Sequence, residues 1–238
     1  MFLMCDQLQP EELEQQRQDI VDFGLVRIGG KHAVQCLSII GQIEGHYLLP
    51  ANNKTTKYEH ILPQLVAMEE DDGVEGLLIL LNTIGGGVEA GLAIAELIAG
   101  MAKPTVSLVL GGGHSIGVPL AVSAKTSFIV PSATMTVHPV RTTGTVVGVR
   151  QSFAHFEKMQ QRIVRFISDH SRITAARLNQ LMMTVGDQAL DMGVILSGDQ
   201  AVEEGLIDHV GSLQDALKEL YRLIEASTPP NHPSKEFA

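Results

Sequence analysis

Residues 76–117 read GLLILLNTIGGGVEAGLAIAELIAGMAKPTVSLVLGGGHSIG, and the order of apolar runs and glycines in this stretch decides the fold. The runs at 76–81 (GLLILL) and 105–110 (TVSLVL) are mostly Leu, Ile and Val with little polar alternation, the pattern of strands covered on both faces of a parallel sheet. Between them, residues 89–100 carry apolar side chains at helical spacing and stop before Pro104, which makes the segment a strand-helix-strand crossover. Each strand leads into glycines, at 85–87 and 111–113, and then into a helix. Glycine there permits a sharp turn and a close backbone approach, and the sites of open parallel sheets lie along that edge.

Outward from this core the alternation continues. Residues 36–41 (CLSIIG) read as a strand, and 57–70 as a helix with Ile61, Leu62, Leu65 and Met68 on one face. On the other side come a helix at 116–124 and short strands at 127–130 and 135–137, so the expected class is α/β around a parallel sheet. Residues 1–30, with a polar helix at 10–23 and a strand at 25–28, read as an N-terminal appendage. After a Gly- and Thr-rich loop at 142–148, residues 151–170 form the longest helix, with Phe153, Phe156, Ile163, Phe166 and Ile167 along one side. Such a stripe either docks on its own core or meets another subunit. Thr174 and Ser212 are placed to cap the next helix and the last one, 213–226, and the Pro-rich residues 227–238 read as a disordered tail.

The 238 residues are 45% hydrophobic and contain no Trp, enough for one main domain with an aliphatic core. A formal net charge of −10 without a Lys/Arg cluster excludes a nucleic-acid footprint. Cys5 and Cys36 make no disulfide framework and fit a reducing compartment. The first residues lack the basic and apolar regions of a secretory leader, and no apolar run has the length of a membrane span. The expectation is a cytoplasmic protein with no membrane span, and no metal or cofactor is expected.

Gly113-x-Ser115-x-Gly117 sets a serine at a strand-to-helix turn, exposed and beside the positive end of a helix dipole. An ordinary capping serine shares that pattern, so a nucleophile also needs a base to take its proton. Of nine histidines, His138 in MTVHP stands at the end of a short strand where Pro139 ends regular pairing, while His114 reads as a pocket-wall or structural residue. Two other classes fit fragments of the pattern. Gly85-x-Gly87-x-x-Ala90 imitates a dinucleotide fingerprint but has no acidic residue ending the next strand, and an α/β-hydrolase would use Ser115, Asp191 and His209.

The segments NTIGGGVEAG (82–91), GGGHSIGVPLAVSA (111–124), IVPSATMTVHP (129–139) and LSGDQAVEEGLID (196–208), in that order, resemble the landmarks of the Clp protease proteolytic subunit. The resemblance runs over about 36–211, and the interval from Asn82 to Ser115 matches the family's without a gap. Within the family the pattern is most similar to the ClpP-like translocation-enhancing branch. It implies a ClpP/crotonase-like superhelix of strand-helix units over 31–226, with 151–183 as a projecting handle. It also implies Ser115 as nucleophile, His138 as base, and an oxyanion hole from the N–H groups of Gly86 and Ile116. The implied substrate is a peptide or unfolded protein, cleaved within a homo-oligomeric ring in which Phe156 and Ile163 face another subunit; an ATPase partner is left open.

Three departures stand out. Ile84 replaces the family's usual proline, and the serine-to-histidine interval is two residues shorter. Gly193 falls where the triad aspartate stands in the family, which leaves Asp191, and after it Asp187, as the acid. Crotonases share the superfold and the AVEEGLID ending, so an acyl-CoA enzyme and a non-catalytic scaffold remain the alternatives.

Overall fold

The computed structural model describes residues 14–15, 17–20, 25–28, 30–141, 148–185 and 192–227. In chain order its strands are β1 (Leu25–Ile28), β2 (Val34–Glu44), β3 (Thr55–Lys57), β4 (Gly76–Gly86), β5 (Thr105–Gly113), β6 (Thr126–Ile129), β7 (Thr134–Val137), β8 (Val194–Ser197) and β9 (His209–Val210). The helices are α1 (Tyr58–Glu70), α2 (Val88–Gly100), α3 (Gly117–Val122), α4 (Val149–Asp169), α5 (Ala175–Met182), α6 (Gly198–Glu203) and α7 (Leu213–Ser227).

Continuous apolar strands need cover on both faces, and the sheet has it. On one face Leu37, Ile39, Leu77, Ile79 and Leu81 pack with Ile61 and Leu65 of α1 and Ile94 and Ile98 of α2. On the other, Val34, Cys36, Leu78, Val106 and Leu108 meet Ala216, Leu220 and Ile224 of α7. Fully burying such a side chain is worth about 1.5–3 kcal/mol, so these two layers dominate the stability of the body. The path through the sheet is β1-β2-β4-β5-β6-β9, parallel throughout except where β1 runs antiparallel to β2. β7 leaves the path to pair with β5 in parallel and with β8 in antiparallel fashion.

Some expectations are corrected. The glycines are not confined to turns: β4 continues to Gly86 and β5 to Gly113, with Ile43 opposite Gly86 and Thr83 opposite Gly113. A Cβ on Gly86 would fall 2.1 Å from the Ile43 carbonyl, so that pairing requires glycine. The short elements β3, β8, α6 and β9 escaped the periodicity argument because none completes two helical turns or a clear strand alternation. Thr174 and Ser212 do cap α5 and α7: Arg177 N–H donates to Thr174 Oγ1 at 3.1 Å, and Ser212 N–H donates to Asp215 Oδ2 at 2.9 Å, with Asp215 N–H returning to Ser212 Oγ at 3.4 Å.

The long helix divides into two halves. Ile163, Val164, Phe166 and Ile167 are buried in the protein's own core, whereas Val149 is 76% and Phe153 68% exposed. Ile163, at 8% exposure, therefore does not face another subunit as expected, because α4 packs its C-terminal half against the body, next to α5. Phe156 is half-buried. Among the described residues no helix is long and apolar enough to cross a membrane.

Candidate active site

Ser115 is the one non-glycine residue with positive φ among the described residues, at 57°. A left-handed backbone costs an L-residue about 1–2 kcal/mol, and such strain persists only where neighbours hold it. Here they do. Ser115 N–H donates to the Thr136 carbonyl at 2.9 Å, and Gly117 and Val118 N–H groups close the turn onto His114 and Ser115 carbonyls at 2.9 and 3.0 Å. The serine sits on a strained elbow between β5 and α3, with its side chain half exposed rather than capping a helix.

The bond to Thr136 docks the elbow on β7, two residues before His138. Ser115 and His138 line one cleft of about 210 Å³, together with Gly86, Ile116 and the apolar side chains Val118, Ile163, Ile167 and Met182. Gly85 brings the end of β4 against the elbow: a Cβ there would lie 2.7 Å from Ser115 Cβ. Gly87 likewise abuts Gly45, with a Cβ there 2.9 Å from Gly45 Cα. Among the described residues the Ile116 N–H has no acceptor, so it remains available to a developing anion.

His138 Nδ1 lies 2.6 Å from the Pro139 carbonyl. A carbonyl only accepts, so Nδ1 carries the proton and the neutral ring presents its lone pair at Nε2. His114, the rival by position, is turned away: its Nδ1 meets Thr136 Oγ1 at 2.8 Å, its ring covers Gly112, and burial holds its pKa below the ordinary histidine value. His209 stands at the far edge of the sheet with its ring on Phe128 and does not line the cleft.

The position expected to bear the family's aspartate is found beside His138. Gly193 has φ 128°, and a Cβ on it would lie 2.7 Å from His138 Cβ. Asp191 and Asp187 lie outside the described residues.

The sequence reading missed Gln160. Its Oε1 accepts the Val140 N–H at 2.8 Å and its Nε2 meets Met182 Sδ at 2.8 Å, tying α4 and α5 to the peptide just after His138. The signal was present, since 156, 160, 163 and 167 share a helical face and a lone amide on an apolar stripe has a partner to find. Glu89 and Arg162, paired through both carboxylate oxygens at 2.7 and 3.0 Å, join the first turn of α2 to α4 at the surface, and the guanidinium holds the Glu89 carboxyl below its usual range. Cys36 is buried, and desolvation pushes its thiol up to about 11, which leaves it inert. Among the described residues no group of three or more His, Cys, Asp or Glu is placed to hold a metal.

Comparison with known proteins gives this geometry a context. The model of the Clp protease family matches residues 30–214. The translocation-enhancing protein TepA of Halalkalibacterium halodurans is 57% identical over 204 residues, covering 86% of this chain and 79% of that protein. An ATP-dependent Clp protease proteolytic subunit of Streptococcus uberis is 27% identical over 128 residues, covering 50% of this chain and 64% of the relative. A ClpP1 variant of Listeria monocytogenes superimposes with a TM-score of 0.61 at 19% identity, over 76% of this chain and 94% of that one, a likeness of fold.

Proposed function

Since the chain belongs to the Clp protease family and has the ClpP fold, we propose that it is a serine-type endopeptidase that cleaves peptides or unfolded proteins through an acyl-enzyme, as a cytoplasmic homo-oligomer. One observation carries the reading: the strained Ser115 elbow and His138 share a cleft whose rim is the Gly86 and Ile116 backbone.

In this mechanism His138 Nε2 takes the Ser115 proton as Oγ attacks the scissile carbonyl. The tetrahedral oxyanion is held by the Gly86 and Ile116 N–H groups, and losing one such donor typically costs about 10²–10³ in rate. His138 then returns the proton to the leaving amine, and water entering the cleft releases the acyl group by the reverse sequence. The apolar walls formed by Val118, Ile163 and Met182 lower the local dielectric, which strengthens the oxyanion contacts.

Cleavage of an unfolded protein substrate tests the proposal. Ser115→Ala and His138→Ala each reduce turnover by at least about 10³-fold while the circular dichroism stays that of the parent. A Ser115→Ala variant that cleaves at the parent rate removes the peptidase reading.

A further inference from the structure

Within the serine-peptidase reading, on which this inference rests, we propose that the Pro139 carbonyl, not a carboxylate, is the group that orients His138. The position where the family's aspartate falls has no room for a side chain. Gly193 occupies it with φ 128°, and a Cβ there would fall 2.6 Å from the Val137 carbonyl and 2.7 Å from His138 Cβ. That glycine is also fixed in place: its N–H donates to the Thr184 carbonyl at 2.8 Å, the adjoining Val194 pairs with Val137, and Arg141 reaches the Met192 carbonyl at 3.2 Å.

The imidazole nonetheless has a partner. Nδ1–H donates to the Pro139 carbonyl at 2.6 Å, which selects the same tautomer that a carboxylate would select and leaves Nε2 as the base. This acceptor is held from behind. In a trans peptide the C=O and the following N–H point in opposite directions, and the Val140 N–H donates to Gln160 Oε1 at 2.8 Å. Gln160 is itself fixed by Met182 Sδ at 2.8 Å, so α4 and α5 set the direction of the carbonyl that sets His138. Pro139 and Gln160 are positioning residues in this account, acting through the histidine. A neutral carbonyl supports the imidazolium less than a carboxylate does, but it preserves the tautomer, whose loss accounts for most of the roughly 10⁴-fold effect of removing a triad acid.

The test is the second-order rate of Ser115 labelling by a small fluorophosphonate across pH, on the full chain. Asp187→Asn/Asp191→Asn labels within about tenfold of the parent, with the acidic limb of its pH profile unmoved. Gln160→Leu labels at least about tenfold more slowly, and Gln160→Glu, which keeps an acceptor for the Val140 N–H, recovers the rate. A loss beyond tenfold or a shifted limb in the double aspartate variant overturns the proposal, as does a parent-like rate in Gln160→Leu. Failure of the parent to label at Ser115 marks instead the failure of the peptidase reading, and this inference falls with it.

Discussion

Under the proposed mechanism, chemistry and stability pull in opposite directions at Ser115. The residue holds a left-handed backbone that glycine would adopt without strain, and its side chain makes no hydrogen bond among the described residues that would repay that strain. Ser115→Gly is therefore expected to abolish turnover while stabilising the fold by about 0.5–1 kcal/mol, the relief of left-handed strain less the extra chain entropy of glycine. Urea unfolding of the two proteins measures the difference; a less stable Ser115→Gly would mean that the elbow is not strained. That Ser115 stands at a strand-to-helix turn and His138 at a strand end was legible because GxSxG and a strand-ending His-Pro are local patterns. The bond from His138 to its own neighbour's carbonyl was not, since it depends on a peptide orientation fixed by Gln160, distant in the chain.

At the scale of elements, the strand-helix alternation was readable because buried parallel strands are apolar throughout and the crossover helices have a clear period. β8 and α6 were not, being four and six residues long, although the Ser197–Gln200 capping box that starts α6 stands in the sequence. α4 shows why a stripe alone does not decide between core and interface: its C-terminal half is core, and its N-terminal half is left exposed. The halves predict different losses. Ile163→Ala lowers stability by about 2–4 kcal/mol as a core truncation. Phe153→Asp, on the exposed half, changes the stability of the subunit by no more than about 0.5 kcal/mol. Equal losses in urea titrations would erase the division.

For the whole molecule, the exposed half of α4 joins Ile84, Ile40 and Leu110 as apolar surface that a lone subunit leaves uncovered. Uncovered apolar side chains of this kind are candidates for an interaction site, and a second copy of this chain is the partner that the proposed ring would supply. The protein is expected to sediment as an oligomer at micromolar concentration, and Phe153→Asp to shift it to smaller species; a monomeric parent would remove the ring from the account. An assembly of this kind would enclose the Ser115 clefts and restrict them to unfolded chains. That step rests on Ser115 being a working nucleophile, and the most direct check of it is to treat the native protein with a fluorophosphonate and map the adduct by mass spectrometry. The account predicts a single stoichiometric adduct on Ser115, absent in Ser115→Ala and formed far more slowly in His138→Ala. No adduct on the folded protein, or one on any other residue, would contradict it.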